Sequence, residues 1–585
     1  MTKRSRFRRT PGDLRVTWLA AASSIAVMAA LAPGCALAEQ PLSSIDPSGV
    51  VSSPQAAPPT PAVNPPPAGE APASLDAMPR FVLAKVVFAH AKAVSEAELQ
   101  AAYAGDVGKT VSLADLRAIA RRAEGIYASH GYGFVVVVVT PQRVQDGVVR
   151  FDVIEGKIAG LSVLGADPDA RRQATAAFQP LLNTSPPAAA GLEAAFERAK
   201  AVPGLVVTGA LRRGDGEGDL DLVLQARKET WRIYANLNDL YPDAVGPFGL
   251  LFGLDHFGGS KYGDQASAQV YQSVESGSQT IARLSYDRGL DASGTRLSLA
   301  VFGAWASPKG SSQDLDFATN VAAGRIAISQ PLIQRFAGDV AVTGALDISN
   351  QTTRVFGDTS LTQDNLRIFS VTLDGEWRPV PGDRLAGSLQ LRQGVDFLGA
   401  SHSGEASLSR PGADPEATVG NVSVEGEATI TKGVRLVVRA DGQFASGPLT
   451  EPEQYAVGNL SIGRGYQPGA NYGDDALGSA TEIRFGPYDG IPKAKIEPFV
   501  FFDAVRVWTL TPGDHTSRTL DSTGAGIRLE LPNRLRVELT FAQPLRAPLG
   551  LGEPTPHGRV LLNVTVGLTD IFMAIHQRLF HETGQ

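Results

Sequence analysis

The residues best suited to a specific chemical role are an arginine set between two glycines and a carboxylate further along the chain. The first group lies in Ser-Ile-Gly-Arg-Gly-Tyr-Gln-Pro-Gly at 461–469, and Asp503 ends the run Phe-Val-Phe-Phe-Asp at 499–503. Glycine permits tight turns and close approach to a wall, and arginine presents a five-donor fork to a distant acceptor. These residue types suit charge recognition rather than a reaction, and an ordinary Gly/Pro turn is the alternative.

Catalysis and metal binding have little support in the sequence. The eight histidines show no metal-ligand spacing, and neither a GxSxG elbow nor a Walker loop is present. A net charge of −7 gives no sign of a nucleic-acid partner. We therefore predict no cofactor, no metal and no enzyme activity. The histidines lie at 90, 130, 256, 402, 515, 557, 576 and 581.

The N-terminal region is typical of an exported protein. Basic residues up to Arg15 precede an apolar run at 16–31, and Ala36-Leu37-Ala38 offers a small-x-small cleavage site, which predicts a signal peptide at 1–38. Lipidation of Cys35, the single cysteine, is the alternative, although Ala-Pro-Gly-Cys is a poor lipidation motif. Residues 39–78 are rich in Pro, Ala and Ser, which predicts a disordered or polyproline linker.

Two small α+β units are predicted next. In residues 79–156, a strand at 81–88, capping boxes at Ser95 and Ser112, and β-branched runs at 134–139 and 148–154 give the order β-α-α-β-β. Residues 157–227 predict a second unit with its own strands and with helices at 171–178 and 191–201.

Residues 228–570 change to short segments of alternating polarity separated by Gly, Asp, Pro and Ser turns. This is the pattern of a transmembrane β-barrel, although a soluble sandwich alternates in the same way. Sixty-two glycines and only four methionines also favour strands and turns. The tail at 571–585 predicts a short helix against the rim, with a frayed last strand as the alternative. We predict about sixteen antiparallel strands, starting near residues 231, 248, 265, 280, 295, 320, 338, 366, 385, 419, 434, 480, 495, 519, 535 and 559.

Several motifs resemble one family of membrane proteins. Four motifs are similar to those of two-partner secretion transporters of the hemolysin secretion/activation type. They are Tyr-Ala-Ser-His-Gly-Tyr-Gly at 127–133, the run from Thr140 to Gly156 that ends in Val-Ile-Glu-Gly, Gly-Arg-Gly-Tyr at 463–466 and Phe-Phe-Asp at 501–503. The resemblance implies two POTRA domains, at 79–156 and 157–227, in the periplasm of a Gram-negative bacterium. It also implies an outer-membrane barrel of the same superfamily as the barrel-assembly factors.

The resemblance also implies site residues. A loop at about 451–479 would enter the barrel from the extracellular side, and its arginine would pair with the lumen-facing aspartate. Two features depart from the family pattern: Gly463 replaces a valine-like residue, and the last strand does not end on an aromatic residue. The implied lock consists of Arg464, Gly465, Tyr466, Glu482, Phe501 and Asp503. Structural or client-binding POTRA candidates are Tyr127, Gly131, Tyr132, Gln142, Gly147, Glu155 and Gly156.

The function that the resemblance implies is secretion. POTRA domains would recognise an unfolded exoprotein of the hemolysin or adhesin type, and the barrel would pass it to the cell surface without ATP. Further expected partners are outer-membrane lipid or lipopolysaccharide and, during biogenesis, periplasmic chaperones and the barrel-assembly machinery. The alternatives are a factor that inserts other barrels and, from another class, a diffusion porin or uptake barrel.

Overall fold

The structure is a computed structural model. It describes residues 80–241, 245–274, 279–307, 316–357, 359–458, 462–510, 516–532, 534–548, 555–570 and 572. The predicted signal peptide at 1–38, the linker at 39–78 and nearly all of the tail at 571–585 lie outside the described residues.

The first unit is a three-stranded sheet packed against a long helix. The predicted strand at 81–88 is split in two, because Leu83 N donates to Lys109 O (3.0 Å) and Ala84 N to Gly147 O (2.8 Å), so the backbone changes partners. β1 pairs with β3, and the main sheet has the order β2-β5-β4. Its elements are β1 (Phe81–Val82), β2 (Lys85–Ala89), α1 (Glu96–Gln100), β3 (Thr110–Val111), α2 (Leu113–Ser129), β4 (Val135–Val139) and β5 (Val148–Glu155).

The helices of this unit begin where the sequence predicts. Ser95 and Ser112 each form a complete capping box, with Glu98 and Asp115 as the reciprocal partners. These boxes satisfy backbone N–H groups that would otherwise lack a partner at a helix start. α2 then buries Leu116, Ile119, Ala120, Ala123 and Tyr127 at helical spacing against the sheet.

The second unit repeats the plan with two helices on one sheet of order β6-β8-β7. Asp167 caps α3 through the backbone N–H groups of Asp169 and Ala170, and the rings of Phe178 and Phe196 meet edge to face at 4.8 Å between the helices. Its elements are β6 (Lys157–Leu164), α3 (Pro168–Phe178), α4 (Ala189–Lys200), β7 (Leu205–Arg213) and β8 (Asp219–Lys228).

The rest of the chain forms a closed antiparallel barrel, which confirms the predicted count of sixteen strands. β22 pairs directly with β24, so the short β23 only extends the hairpin between them. β20 and β21 pair with each other inside a long loop. The wall strands are β9 (Trp231–Asn238), β10 (Gly249–Gly258), β11 (Asp264–Ser273), β12 (Gln279–Gly289), β13 (Arg296–Ala306), β14 (Ala318–Arg335), β15 (Gly338–Val355), β16 (Thr359–Trp377), β17 (Arg384–Gly394), β18 (Thr418–Thr431), β19 (Val434–Ala445), β22 (Asp475–Phe485), β24 (Ala494–Trp508), β25 (Ser517–Leu531), β26 (Leu535–Pro544) and β27 (Arg559–Gly567); the smaller strands are β20 (Tyr455–Val457), β21 (Asn471–Gly473) and β23 (Tyr488–Ile491).

The two faces of the wall alternate as a membrane strand requires. On β24, Phe501 and Asp503 are buried, whereas Val500 and Phe502 are 43% and 48% exposed. Outward apolar and inward polar residues are the pattern of a barrel set in lipid, so the predicted lumen-facing orientation of Asp503 is the one observed. None of the helices in the described part of the chain is long and apolar enough to cross a membrane.

The second α+β unit packs against one rim of the barrel. Gln173 on α3 donates to Gly258 O (3.1 Å) and Ser260 O (2.8 Å) at the turn after β10. The ring of Phe196 on α4 lies 6.3 Å from that of Phe336, in the turn between β14 and β15. Because β9 enters the wall directly after this unit, the rim it covers is the one from which the barrel starts.

Only the beginning of the predicted tail helix lies within the described residues. Thr569, Asp570 and Phe572 are helical, and Phe572 N donates to Leu568 O at 3.0 Å. The choice between a helix and a frayed strand for the remaining residues of 571–585 lies outside the described residues.

Candidate functional site

The loop that carries the Gly-Arg-Gly-Tyr motif connects β19 to β22 and spans residues 446–474. The sequence predicted a loop at about 451–479, so its C-terminal boundary was wrong by five residues. Residues 475–479 already pair with β19 and β24 in the barrel wall. The strand extends that far because Asp475 accepts a bond from Ala445 N (2.8 Å), which closes the β19–β22 ladder at its upper end.

The two glycines around the arginine do different work. Gly463 has φ +82°, a left-handed conformation that side chains rarely adopt, and its carbonyl accepts from Tyr466 N at 2.9 Å to close a turn. A Cβ on Gly465 would lie 2.7 Å from Ser522 Cβ and 2.8 Å from Pro544 N. Gly463 therefore makes the turn, and Gly465 lets the turn touch the wall.

Arg464 is 4% exposed and its donors converge on Asp503, which is fully buried. Its backbone N and its Nε donate to Asp503 Oδ2 (both 3.0 Å), and Nη2 donates to Oδ1 (2.7 Å). The guanidinium carbon also stands 3.6 Å above the centre of the Phe501 ring. A planar fork with two parallel bonds to a carboxylate and an aromatic face beneath it is a geometry that lysine does not reproduce.

Glu482 on β22 completes the arginine's coordination but is shared with the wall. Arg464 Nη1 donates to its Oε2 at 2.7 Å. Its Oε1 accepts from Arg484 Nε (2.7 Å) and Arg528 Nη1 (2.6 Å). Arg528 in turn bonds Glu538 at 2.9 Å. Sequence reasoning missed both wall arginines. Arg484 lies two residues after Glu482 on the same face of β22, which the alternation of that strand could have indicated. The approach of Arg528 depends on the stagger of β25, which is far away in the chain.

The hydroxyl of Tyr466, another residue of the implied lock, contacts the wall at a different place from the ion pair. Its hydroxyl donates to the backbone carbonyls of Asp521 within β25 (2.9 Å) and of Arg546 just after β26 (3.0 Å). Its own carbonyl accepts from Arg559 on β27. The tyrosine therefore attaches the loop tip to a neighbouring part of the wall, whereas Phe501 supports the guanidinium.

A second buried carboxylate, Asp474, fastens the base of the loop. Arg410 reaches it from the loop at 395–417 (2.5 Å), and Leu449 N (2.9 Å) and Leu510 N (2.7 Å) also donate to it. Arg392 on β17 pairs with Glu453 at 2.7 Å. Among the described residues, three arginines thus hold the inward loop through carboxylates, Arg464 at its tip and Arg410 and Arg392 at its base, and only Arg464 was predicted.

The motif residues of the first α+β unit occupy its interior and its border with the second unit. Tyr127 is fully buried, and its hydroxyl donates to Glu155 Oε1 at 2.8 Å. The same oxygen accepts from Lys92 N and Ala93 N, both at 2.7 Å. Burial and the nearby carboxylate raise the pKa of Tyr127. Of the two roles left open for these residues, the geometry fits the structural one.

The other motif residues shape turns and contacts. Gln142 bonds both the N and the O of Arg150 (2.8 and 2.6 Å), as a neighbouring strand would. A Cβ on Gly147 would lie 2.4 Å from Val82 O, and one on Gly156 2.8 Å from Phe134 O. Gly131 (φ +85°) ends α2, and its carbonyl accepts from Ala189 N of the second unit. Tyr132 packs edge to face on Tyr127 at 6.4 Å.

Within the described residues, no group of three or more His, Cys, Asp or Glu side chains is arranged to hold a metal ion. The site at Arg464 is instead a set of interlocked ion pairs on the inner wall. Such an arrangement can hold a loop against the wall of a water-accessible lumen.

Two family models match the chain in both of its parts. The POTRA domain of ShlB type matches residues 81–156, and the haemolysin secretion/activation protein family ShlB/FhaC/HecB matches residues 309–529, which include the Arg464 site. The chain is thus similar to the haemolysin secretion/activation family in its barrel and in its first α+β unit. It is an outer-membrane β-barrel with POTRA domains, and this family consists of transport proteins rather than known enzymes.

Known proteins align with most of this chain at low identity. The heme/hemopexin transporter protein HuxB of Haemophilus influenzae strain 86-028NP is 20% identical over 450 residues, covering 75% of this chain and 79% of the relative. CdiB from Escherichia coli aligns with a TM-score of 0.71 at 18% identity, over 86% of this chain and 94% of the other. CdiB from Acinetobacter baumannii aligns with a TM-score of 0.60 at 14% identity, over 86% of this chain and 94% of the other. The structural likeness establishes the fold.

Proposed function

We propose that this chain is the outer-membrane pore for a secreted exoprotein of the hemolysin or adhesin type, which its POTRA domains take up unfolded from the periplasm. One observation carries the proposal: a barrel with POTRA units under its starting rim holds the tip of a loop against its inner wall through the guanidinium of Arg464. The charged groups of this lock can regain hydration in a wet lumen when the tip of the loop is released.

Release of the loop would leave the two wall carboxylates, Glu482 and Asp503, with different numbers of hydrogen-bond partners. Without Arg464, Glu482 keeps Arg484 and Arg528, but Asp503 keeps only Ser522 Oγ at 3.4 Å among its described hydrogen-bond partners. Asp503 is therefore dedicated to the loop, whereas Glu482 belongs to the wall network. An extended client that carries its own donors into the lumen would compete for the same carboxylate.

For client capture we propose strand addition to β7. The N-terminal edge of β6 is covered by Asn183 and Thr184, and β4 is guarded by Glu124, which accepts from Val137 N at 3.0 Å. β7 pairs with β8, and among the described residues its other side makes a backbone bond only at its first residue, from Leu205 N to Val202 O (3.1 Å). Main-chain hydrogen bonds to a nine-residue edge would accept many client sequences.

Export without ATP is part of the proposal. The chain has no Walker loop, and folding of the client outside the cell would supply the free energy. Outer-membrane lipid or lipopolysaccharide around the barrel, and periplasmic chaperones with the barrel-assembly machinery during biogenesis, are the further partners that we propose.

The test compares secretion with conductance. Deleting residues 79–227 should abolish export of the client while a reconstituted barrel still conducts. If the deletion abolished neither export nor conductance, a porin or uptake barrel would be favoured. A photo-crosslinker at position 208 on β7 should trap an exported protein, with the same crosslinker at 136 on the guarded β4 as the matched control. Equal yields at the two positions would remove β7 as the capture edge.

An assembly factor is the second candidate. BamA from Haemophilus ducreyi lacking POTRA domains 1–3 aligns over 83% of this chain and the whole of the other chain, with a TM-score of 0.50 and 12% identity. If this chain inserted other barrels, its depletion would lower the amounts of unrelated outer-membrane barrels. Under the secretion proposal, depletion lowers only the exported client.

A further inference from the structure

A cleft of about 430 Å³ opens between the POTRA helix α3 and the barrel rim. Arg172 and Thr175 line it from α3, and Lys261, Tyr262 and Ala292 line it from the turns after β10 and β12. It shares Lys261, Tyr262 and Ala292 with a deeper cavity of about 30 Å³. The volume of the outer cleft is within the range of small-molecule sites, and the inner cavity holds one water-sized group.

The cleft carries an excess of positive charge. Lys261 makes no ion pair among the described residues, and its Nζ stands 4.9 Å from the Tyr262 ring centre. Arg198 lines the inner cavity; Nη2 donates to Ala177 O (3.2 Å), while its buried Nε has no partner. The one acid that lines the inner cavity, Asp291, already accepts bonds from Ser293 and Thr295. Arg172 and Arg296 pair with Asp169 (2.9 Å) and Asp287, so Lys261 and Arg198 are the lining cations that have no ion pair among the described residues.

A buried side chain in the inner cavity also lacks a partner. Gln173 is 1% exposed, and its Nε2 donates to the carbonyls of Gly258 and Ser260. Its Oε1 is buried and has no hydrogen-bond partner, although a buried acceptor normally has one. The cavity thus presents an unused acceptor beside an unused donor.

The neighbouring wall shows where the membrane ends. β12 has 11 residues, the length that crosses a bilayer once, so the turn after it lies at the membrane surface on the POTRA side. Leu284 on the outward face of β12 is 58% exposed, and Leu290 at the turn is 45% exposed. Tyr286 and the exposed Arg288 follow Leu284 on the outward face of β12, so the apolar lipid-facing wall ends in a further cation at the level of the cleft.

We propose that this cleft binds the phosphate-bearing headgroup of a phospholipid of the periplasmic leaflet and so joins the second POTRA domain to the membrane. Arg172 and Lys261 would donate to the phosphate oxygens as charge-assisted hydrogen bonds. A hydroxyl or ammonium group of the headgroup would supply the donor that Gln173 Oε1 lacks, and the acyl chains would lie along Leu284 and Leu290. The apolar lipid-facing wall favours a lipid over an acidic peptide.

The test is native mass spectrometry of the full-length protein in detergent, titrated with phosphatidylglycerol. The wild-type chain should retain a bound lipid, and Lys261→Glu should weaken its affinity roughly tenfold, the cost of losing one charge-assisted bond. Arg213→Glu makes the same charge change at the distant end of β7, where Arg213 is exposed, and should bind as the wild type does. If Lys261→Glu does not yield a heat-modifiable barrel, Lys261→Gln replaces it with the same expectation.

Three outcomes would overturn the proposal. Equal lipid affinity in Lys261→Glu and the wild type would show that the cleft is not the site. Displacement of the lipid by an equal concentration of inorganic phosphate would indicate a free-anion site. Displacement by poly-glutamate, with poly-glutamate binding in lipid-free detergent, would assign the cleft to an acidic client segment. Secretion is measured separately, so a failed lipid site leaves the secretion proposal standing.

Discussion

The Arg464 site and the core of the first POTRA domain are both built around one buried carboxylate, yet the partners of the two carboxylates differ in kind. Asp503 accepts three bonds from a single charged residue of a loop. Glu155 accepts bonds from the phenol of Tyr127 and the amides of Lys92 and Ala93, all within its own domain. The first contact can separate without unfolding the wall, whereas the second is part of the fold.

The comparison explains why motif residues alike in appearance have different roles. A carboxylate with neutral donors fixes a domain's internal geometry, so its loss should lower the stability of that domain. A carboxylate whose charged partner lies on a loop sets the position of that loop, so its loss should reduce function. Replacing residues on each side, and measuring both properties, tests this division.

The largest effect is expected for the lock itself. Arg464→Ala leaves Asp503 buried without a charged partner, which costs about 3–5 kcal/mol of loop docking by the general magnitude for broken buried pairs. Secretion should fall strongly while the barrel still inserts, and Asp503→Ala should act alike. Arg464→Lys should rescue only in part, because an ammonium lacks the planar fork.

A double-mutant cycle on secretion and on barrel stability supplies the measurement. Arg546→Ala is the control, since that arginine forms an exposed pair with Asp521 on the same side of the barrel. Strict additivity of the Arg464 and Asp503 effects would mean that the two residues do not interact in the working state, and would falsify the lock.

Much of the wall was predictable from the chain, because alternation reports strand direction and turns report strand ends. Predicted strand starts such as Gly338, Val434 and Leu535 coincide with the observed ones. The predicted start near 480 lies after the observed start at Asp475. The difference arises because the side chain of Asp475 extends the ladder by a bond that periodicity does not register. The Arg410–Asp474 contact was missed for a related reason: it joins two loops whose approach depends on the barrel's curvature.

A middle-sized effect is expected from steric disruption without loss of charge. Gly465→Ala would drive a methyl group into Ser522 and Pro544, at a cost of about 1–3 kcal/mol for overpacking. Gly447→Ala is the matched control, because in the same loop its Cβ would meet no atom within 4 Å. Protease accessibility of the loop in intact cells should rise for the first variant alone; equal accessibility would mean that the close approach at Gly465 is dispensable.

A smaller effect, confined to the first POTRA domain, is expected for Tyr127→Phe. The change removes one of three donors to Glu155 Oε1 and costs about 1 kcal/mol of domain stability. Limited proteolysis of the full-length chain should show faster cleavage within 80–156 and an unchanged barrel. Tyr132→Phe, which keeps the ring contact with Tyr127, serves as the control. A loss of secretion with unaltered proteolysis would instead favour direct client contact by Tyr127.

The smallest effect is expected at the surface pair of His130 and Glu98, 3.1 Å apart. The bond to Ile126 O and the contact with Glu98 raise the pKa of His130, and the bonds from Ser95 lower the pKa of Glu98. The histidine's contribution is complete below its unfolded pKa of about 6.5 and is lost as pH rises through its folded value. The glutamate's contribution is present above about 4.3 and is lost as pH falls. Proteolytic resistance of residues 80–156 should therefore be slightly higher at pH 5.5 than at pH 8, and His130→Gln should abolish the difference. An unchanged difference in His130→Gln would assign the pH dependence to another group and leave the pair without a stabilising role.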